Sequence, residues 1–329
     1  MGNMTFHEDR STGLGGSDIG AVLGLNPWKS PYQVYREKVG EESPFEGNLQ
    51  TRFGSYAEEF VAREYCDRTG RQVQRYNAML RHPTAPIIGH VDRLVIPDGA
   101  KRASYRQEIR TDLGLEAKTA SAFATGRDSE WGEDGTDLIP ESYLVQVATY
   151  QALTGCQYWD LAVLFGNQEF RIYHLERDLE LESLILEAAE KFWRDHVLAR
   201  IPPAPRDEAE ARQRWRRHQP GKIQTVDANL EVAIKSYAAE KARLSECEKT
   251  CQRLRDAIIP ALEDADVIQT DSGLQLATYR ANKDSQRTDW RALVHHHWPV
   301  PPGELVEQFT TTQPGARVLR LAKELEINL

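Results

Sequence analysis

Asp92 lies in the run IIGHVDRLV, and beyond a polar loop Glu116 and Lys118 lie in LGLEAKTA. Both runs read as strands, so two neighbouring strands would aim two carboxylates and one ammonium at a single point. Side chains on a strand alternate faces, so Glu116 and Lys118 share one face and Ala117 points to the other. Such a set suits hydrolysis of a phosphodiester. Carboxylates hold a divalent cation that polarises a phosphoryl oxygen and lowers the pKa of a bound water, while the ammonium steadies that water or the developing charge. A Glu-x-Lys alone is common and is usually a solvated ion pair. Here the surroundings differ: Ile87, Ile88, Val91, Leu94, Val95 and Ile96 form an apolar run in which the Asp92 charge needs a cation or a partner. Residues 113–119 repeat that situation.

The elements that must position these groups are legible on either side. Upstream, RFGSYAEEFVAREYCDRTG reads as an amphipathic helix with Tyr56, Phe60, Ala62 and Tyr65 among its apolar positions and Gly70 at its close. Glu58 and Glu59 fall near its start, where acidic side chains complement the helix dipole. Downstream, IPESYLVQVATYQALTG reads as a second helix, opened by Pro140 and Glu141 and stopped by Gly155. Tyr143 and Gln146 share one of its faces. DLAVLF and FRIYHL form a hairpin around Gly166 and Asn167, completing an α/β core.

Near the start, RSTGLGGSD offers a different chemistry. Glycines at 13, 15 and 16 let backbone N–H groups approach an anion, Ser17 offers a hydroxyl near a helix start, and Arg10 carries a fork of donors. On the residues alone, Ser17 reads as the cap of a helix beginning near Asp18, with Arg10 solvated. Trp28 and Tyr32 in LNPWKSPYQVY have the surface to stack on a base, but aromatics beside an early helix are ordinarily core, and neither receives a role. Lys101, Arg102, Arg106 and Arg110 make the loop between the carboxylate strands basic, which suits contact with DNA and plain solvation equally.

In order, GGSDIGAVLGLNPWKSPYQVY, GSYAEEFVAREYCDRTG, GHVDRL, LEAK and YLVQVATYQALTG resemble the YqaJ-like phage recombinases, relatives of bacteriophage lambda exonuclease in the PD-(D/E)XK nuclease superfamily, over about residues 6–198. The resemblance implies a restriction-endonuclease-like α/β core, a central mixed sheet flanked by helices. The family's metal-binding aspartate falls on Asp92, its Glu-x-Lys on Glu116 and Lys118, its helix glutamate on Glu58, and its helix tyrosine and glutamine on Tyr143 and Gln146. Its arginine and serine for the terminal 5′-phosphate fall on Arg10 and Ser17. Val91 departs from the pattern, standing where a proline often precedes the aspartate.

What the resemblance implies is an Mg²⁺-dependent exonuclease that degrades linear duplex DNA 5′→3′ from its ends and exposes 3′ single strands. Asp92 and Glu116 would bind the metal with the Ala117 carbonyl, and Glu58 would contact a second ion directly or through water. Lys118 would position the attacking water, Gln146 would orient it or the metal shell, and Tyr143 would support the site. Two Mg²⁺ ions are implied, with Mn²⁺ as a substitute. So are a homo-oligomeric ring, trimer or tetramer, and a single-strand annealing protein as partner in the cytoplasm of a bacterial host of a phage or prophage. An endonuclease or a 3′→5′ enzyme of the same superfamily is the nearest alternative. A non-catalytic DNA-end-binding scaffold is the other, and the intact Asp92, Glu116 and Lys118 argue against it.

Composition narrows the remainder. The 329 residues suffice for one good core and an appendage. Four cysteines at irregular spacing, no leader and no apolar run able to span a bilayer point to a reduced cytoplasmic protein without a membrane partner. Cys247 and Cys251 lack companion ligands for zinc, and His295, His296 and His297 read as a surface or helix-end segment. The net charge is −9, and because residues 201–329 hold 19 basic and 19 acidic side chains, the deficit falls on the first 200 residues. Loose adsorption to DNA is thereby disfavoured, and enclosure of the duplex would have to supply grip.

IPPAPR at 201–206 marks a break, giving a nuclease domain over residues 1–200, a linker over 201–225 and a helical extension with a β-hairpin over 226–329. In the extension Leu230, Tyr237, Leu244, Cys251 and Ile258 recur every seven residues, with Ala233, Cys247, Leu254 and Ala261 as a weaker second row. Residues 267–280 alternate like strands around a turn at 271–273.

Overall fold

Local residue choices set most of the element boundaries. Helix α1 (Gly16–Val22) is followed by α2 (Pro31–Lys38), which Ser30 caps. The Ser30 Oγ accepts from the Gln33 N–H at 3.1 Å, and the Gln33 side chain accepts from the Ser30 N–H at 3.0 Å. Asn48 caps α3 (Leu49–Thr69), and Gly70, with φ 71°, ends it in the left-handed conformation. Then come β1 (Val73–Arg75), β2 (Leu80–Arg81), β3 (Ile88–Gly89), β4 (Arg93–Val95), β5 (Ser104–Tyr105), β6 (Glu108–Ile109) and β7 (Leu113–Ala120). Helix α4 (Glu141–Thr154) joins β7 to β8 (Tyr158–Phe165), and β9 (Glu169–Glu176) leads into α5 (Leu179–Phe192) with a π-helical turn behind it. The last elements are α6 (Glu208–Arg214), α7 (Ala228–Leu262), β10 (Val267–Gln269), β11 (Gln275–Thr278), α8 (Trp290–His297) and α9 (Gly303–Phe309). This computed structural model describes residues 11–43, 47–125, 129–285, 287, 289–298, 300 and 302–311.

Five strands form the central sheet in the order β1-β4-β7-β8-β9. Only β7 and β8 run parallel, in register from Leu113 against Tyr158 to Ala120 against Phe165, with α4 as the crossover a parallel pair requires. Helix α3 covers one face with Val61 and Tyr65 against Leu115, Ala117 and Ala162. The other face carries Val147 and Tyr150 of α4 with Leu94, Trp159, Leu161 and Val163. This is the mixed sheet flanked by helices that the resemblance implied. The α3 face also buries Asp160, which accepts from the Tyr65 hydroxyl at 2.5 Å and Arg71 Nη1 at 2.9 Å and lies 2.7 Å from His174 Nδ1. Three partners keep that carboxylate from being an unsatisfied charge.

Two expectations about α3 fail. The helix begins at Leu49, so Glu58 and Glu59 sit in its middle and the dipole does not account for them. Tyr56 and Phe60 are 84 % and 55 % exposed, because the buried row is Ala57, Val61 and Tyr65, one residue out of phase with those aromatics. Tyr32 is core, as the residues suggested, but Trp28 is 88 % exposed. The loop after β4 is also more ordered than expected: β5 and β6 form a hairpin whose tip, Arg106 and Gln107, has φ of 50° and 68°.

The chain divides into two compact units, residues 1–211 and 212–329. In the second, α7 is a 35-residue helix capped by Asp227, and Leu230, Tyr237, Leu244 and Ile258 along its seven-residue row are about half exposed. The hairpin of β10 and β11 follows it. In the first unit the prolines at 202, 203 and 205 do not end the packing. Glu210, 4 % exposed, accepts from Ser30 Oγ at 2.6 Å and from the Arg206 N–H at 2.7 Å.

Removing Glu210 would leave the Ser30 hydroxyl buried without this acceptor. Glu210→Ala should therefore lower stability by roughly 1–3 kcal/mol, with Glu210→Gln less harmful. Denaturant midpoints of the full chain measure this. A chain cut at Ile201 should lose at least as much relative to one cut after residue 218, since it also loses buried Pro203 and the Arg206 contact to Pro27.

Candidate active site

Strands β4 and β7 pair over two positions only, Arg93 with Leu115 and Leu94 with Gly114. Beyond them the ladder opens, and the Ala117 N–H donates to Asp92 Oδ2 at 3.1 Å. A side-chain carboxylate thus meets the amide at the point where the strands part. Asp92 lies between β3 and β4, so the apolar run around it is two short strands rather than one.

The alternation of β7 turns Glu116 and Lys118 to the α4 face, where the Glu116 side chain is 3 % exposed. Its Oε1 accepts from Lys118 Nζ at 2.6 Å and from Gln146 Nε2 at 3.0 Å. Its Oε2 is buried and has no hydrogen-bond partner. Gln146 Nε2 also donates to the Tyr150 hydroxyl at 2.8 Å. The glutamine is held from behind by α1, since a Cβ on Gly16 would stand 2.9 Å from Gln146 Cγ and only glycine permits that approach.

Burial first, then the Asp92 carboxylate, push the Glu116 carboxyl up to about 8 against the pull of Lys118. Burial alone would push the Lys118 ammonium down, but Glu116, followed by Tyr150 and Asp92, pushes it up, so it stays charged. Lys118 Nζ also stands 5.9 Å from the centre of the Tyr143 ring. Tyr143 in turn packs on Trp131 at 5.2 Å between ring centres. Glu116, Lys118 and Gln146 are thus joined directly, and Asp92 is bonded to the amide of Ala117, which lies between Glu116 and Lys118 on β7, with Tyr143 alongside.

Glu58 is engaged elsewhere. Its Oε1 accepts from Arg93 Nη1 at 2.7 Å, and that same nitrogen donates to the Asp92 carbonyl at 2.7 Å. Arg93 Nη2 reaches Glu59 Oε2 at 3.0 Å. Ser17 is the second residue of α1, exposed, and is not its cap. Gly15 holds that place, and its N–H donates to Asp18 Oδ2 at 3.1 Å. Arg10 lies outside the described residues. In the basic loop, Arg110 Nη2 pairs with Glu108 at 2.6 Å.

Three features escaped the sequence. Tyr150 lies one turn beyond Gln146 on the same helical face, a spacing that would have found it. Arg93 directly follows Asp92, but nothing local shows that it is buried, at 3 % exposure. Asp18 accepts from Lys29 Nζ at 2.8 Å and Lys38 Nζ at 2.7 Å, contacts between separate elements that leave no periodic trace. Burial would raise the Asp18 carboxyl, but Lys38 and then Lys29 outweigh it and hold the group well below the usual carboxylate range. The two lysines, Asp18 and Ser17 line a cleft of about 150 Å³ that Tyr150 also borders.

Among the described residues, no group of three or more His, Cys, Asp or Glu side chains gathers as a metal cluster. Nor is any described helix long and apolar enough to cross a membrane. Residues 5–157 match the YqaJ-like viral recombinase domain. The YqaJ protein of Bacillus subtilis (strain 168) is 33 % identical over 266 residues, which cover 78 % of this chain and 77 % of that protein. Among solved structures, an alkaline exonuclease from Laribacter hongkongensis is similar over 60 % of this chain and 93 % of its own, at 18 % identity and a TM-score of 0.44. A phage related exonuclease from Haemophilus somnus 129PT is similar over 59 % of this chain and 99 % of its own, at 14 % identity and a TM-score of 0.41.

The position of Glu116 fixes a sign for pH dependence. Its carboxyl titrates at about 8 in the fold against an ordinary 4.5, so the folded chain keeps a proton that the unfolded chain releases. That contribution to stability is complete below about 4.5 and is lost as pH rises through about 8. With a chelator present, the melting temperature should fall across this window. Glu116→Gln, having nothing to ionise, should flatten that part of the profile; equal slopes in both proteins would place its origin elsewhere.

Proposed function

The chain belongs to the YqaJ-like viral recombinase family, and from that membership and the site we propose a metal-dependent deoxyribonuclease that degrades linear duplex DNA 5′→3′ from its ends. One observation carries the reading: the buried Glu116 carboxylate has one oxygen on Lys118 and Gln146 and the other without a partner. An orphaned acid oxygen in a sheet is costly unless a cation completes it.

The donor set fits a hard divalent ion. Its ligands are all oxygen, and Mg²⁺ commonly takes one or two carboxylates and keeps waters for the rest. Asp92, Glu116 and the Ala117 carbonyl would hold it. Once bound, it would polarise a phosphoryl oxygen and lower the pKa of a bound water. Lys118, charged and fixed by Glu116, would hold the attacking water and the negative charge on the phosphoryl oxygens. Gln146 keeps Glu116 oriented, and Tyr143 bounds the lysine. Glu58 would serve a second ion through the oxygen it does not give to Arg93. Ser17 and Arg10 would hold the 5′-phosphate of the end. A homo-oligomeric ring, an annealing-protein partner for the exposed 3′ strand and a place in the cytoplasm of a bacterial host belong to the same proposal.

Asp92→Asn and Glu116→Gln should each lower cleavage by several orders of magnitude while duplex binding in Ca²⁺ persists, since each removes a metal ligand and not the DNA surface. Digestion of end-labelled duplex and of closed circles reads rate, direction and the need for an end. Near-normal turnover in either variant would dislodge the site, and cleavage of closed circles would favour an endonuclease.

Arg10→Ala and Ser17→Ala should erase most of the preference for 5′-phosphorylated over 5′-hydroxyl ends, about 10- to 100-fold for a charge-assisted contact. The hydroxyl end offers nothing for them to hold. Equal losses on both substrates would make these residues structural.

A further inference from the structure

Trp28 sits 88 % exposed on a loop that is otherwise pinned. The Asn26 Oδ1 accepts from the Trp28 N–H at 2.8 Å and from the Lys29 N–H at 3.1 Å. Lys29 Nζ is tied to Asp18 at 2.8 Å and Glu37 at 2.6 Å, and Ser30 Oγ donates to Glu210 at 2.6 Å. Arg206 Nη1 donates to the Pro27 carbonyl at 3.4 Å. Residues distant in sequence therefore fix the backbone on both sides of an indole that contributes nothing to the core.

The indole forms one wall of a cleft of about 460 Å³, inside the range of small-molecule sites. Ser17, Tyr143 and Gln146 line the same cleft. Gln146 leads directly to the Glu116 carboxylate, 3.0 Å from its Nε2. Glu130 and Glu141 also line it, and their charge disfavours a phosphate there. What such a cleft accepts is a flat, uncharged group whose attached phosphates lie outside it. A nucleobase meets that description, and stacking on an aromatic face serves every base alike.

Resting on the exonuclease reading, we propose that Trp28 stacks on the base of the 5′-terminal nucleotide, holding it in this cleft while its phosphates lie outside it, at the Glu116–Lys118 pair and at Ser17, which also lines the neighbouring cleft of Lys29 and Lys38. The residue touches substrate and takes no part in the chemical step. Because its side chain is almost wholly in solvent, Trp28→Ala leaves the core intact.

The test pairs variant with substrate. Full-length wild type, Trp28→Ala and Trp28→Phe are given 5′-phosphorylated duplexes whose 5′-terminal nucleotide is either intact or abasic, and release of the first nucleotide is followed in a single turnover with Mg²⁺. Expected are a loss of tenfold or more for wild type on the abasic end, a similar loss for Trp28→Ala on the intact end, and no further loss when the two are combined. Trp28→Phe should recover most of the rate. Losses that multiply, or a wild type indifferent to the missing base, would overturn the proposal. In parallel, 2-aminopurine as the 5′-terminal base is titrated with protein in Ca²⁺. Quenching by wild type that disappears in Trp28→Ala supports stacking even without turnover, so failure of the nuclease reading stays separate. Unchanged quenching in Trp28→Ala would overturn the proposal directly.

Discussion

Burying the Glu116 carboxyl inside a sheet is the constraint on which the rest of the first unit depends. Ionising it out of water costs several kcal/mol, and the group is pushed up to about 8 because well-placed partners offset that cost only in part. Lys118 is one, available because two residues on a strand return to the same face. Gln146 is the other, and it reaches Glu116 only because α4 crosses that face and Gly16 lets α1 close behind it. The early divergence of β4 from β7 belongs to the same solution, since it lets Asp92 approach the Ala117 amide. The arrangement is incomplete at one atom, Glu116 Oε2, and that incompleteness is chemical opportunity: a metal-binding site must withhold some of its own hydrogen bonds.

Arg93 is the complementary buried charge. It binds Glu58 and Glu59 from α3 and the carbonyl of Asp92, so the helix and the segment entering β4 that carries the aspartate are joined through one guanidinium. That explains why Glu58 and Glu59 lie in the middle of α3, where the helix dipole has little use for them. It also limits what Glu58 can do. Its Oε1 belongs to Arg93, and any role toward a cation falls to its other oxygen or to an intervening water.

The parts legible in the sequence were those whose causes are local. The α4 boundaries, the β8–β9 hairpin and the shared face of Glu116 and Lys118 each follow from a residue and its near neighbours. The start of α3 was missed because its cap, Asn48, precedes the apolar pattern, and its face was misjudged because Tyr56 and Phe60 imitate a buried row. Trp28 and Tyr32 show the same limit. Ser30 opens α2 between them, so the tyrosine turns into the core from a helix while the tryptophan remains on the loop before it. Gln146 against Glu116, and Asp18 between two lysines, join elements far apart in the chain. The residues placed Gln146 on a face with Tyr143, only the resemblance gave it a role, and nothing singled out the lysines.

The acidic balance of the first 200 residues acquires a physical reading from these pairs. Arg93, Arg71, Arg75, Arg177, Lys29 and Lys38 are all engaged by carboxylates within the fold. Cations committed in this way hold elements together and offer little to a phosphate backbone. For the proposed nuclease, attraction then has to come from contacts that need no net positive surface. A bridging cation reverses the local sign of two carboxylates, and an exposed indole binds through its face rather than its charge. On the proposed function both would act only on a DNA end seated in the cleft, so an acidic enzyme of this design would discriminate ends from duplex by the same features that give it any grip at all.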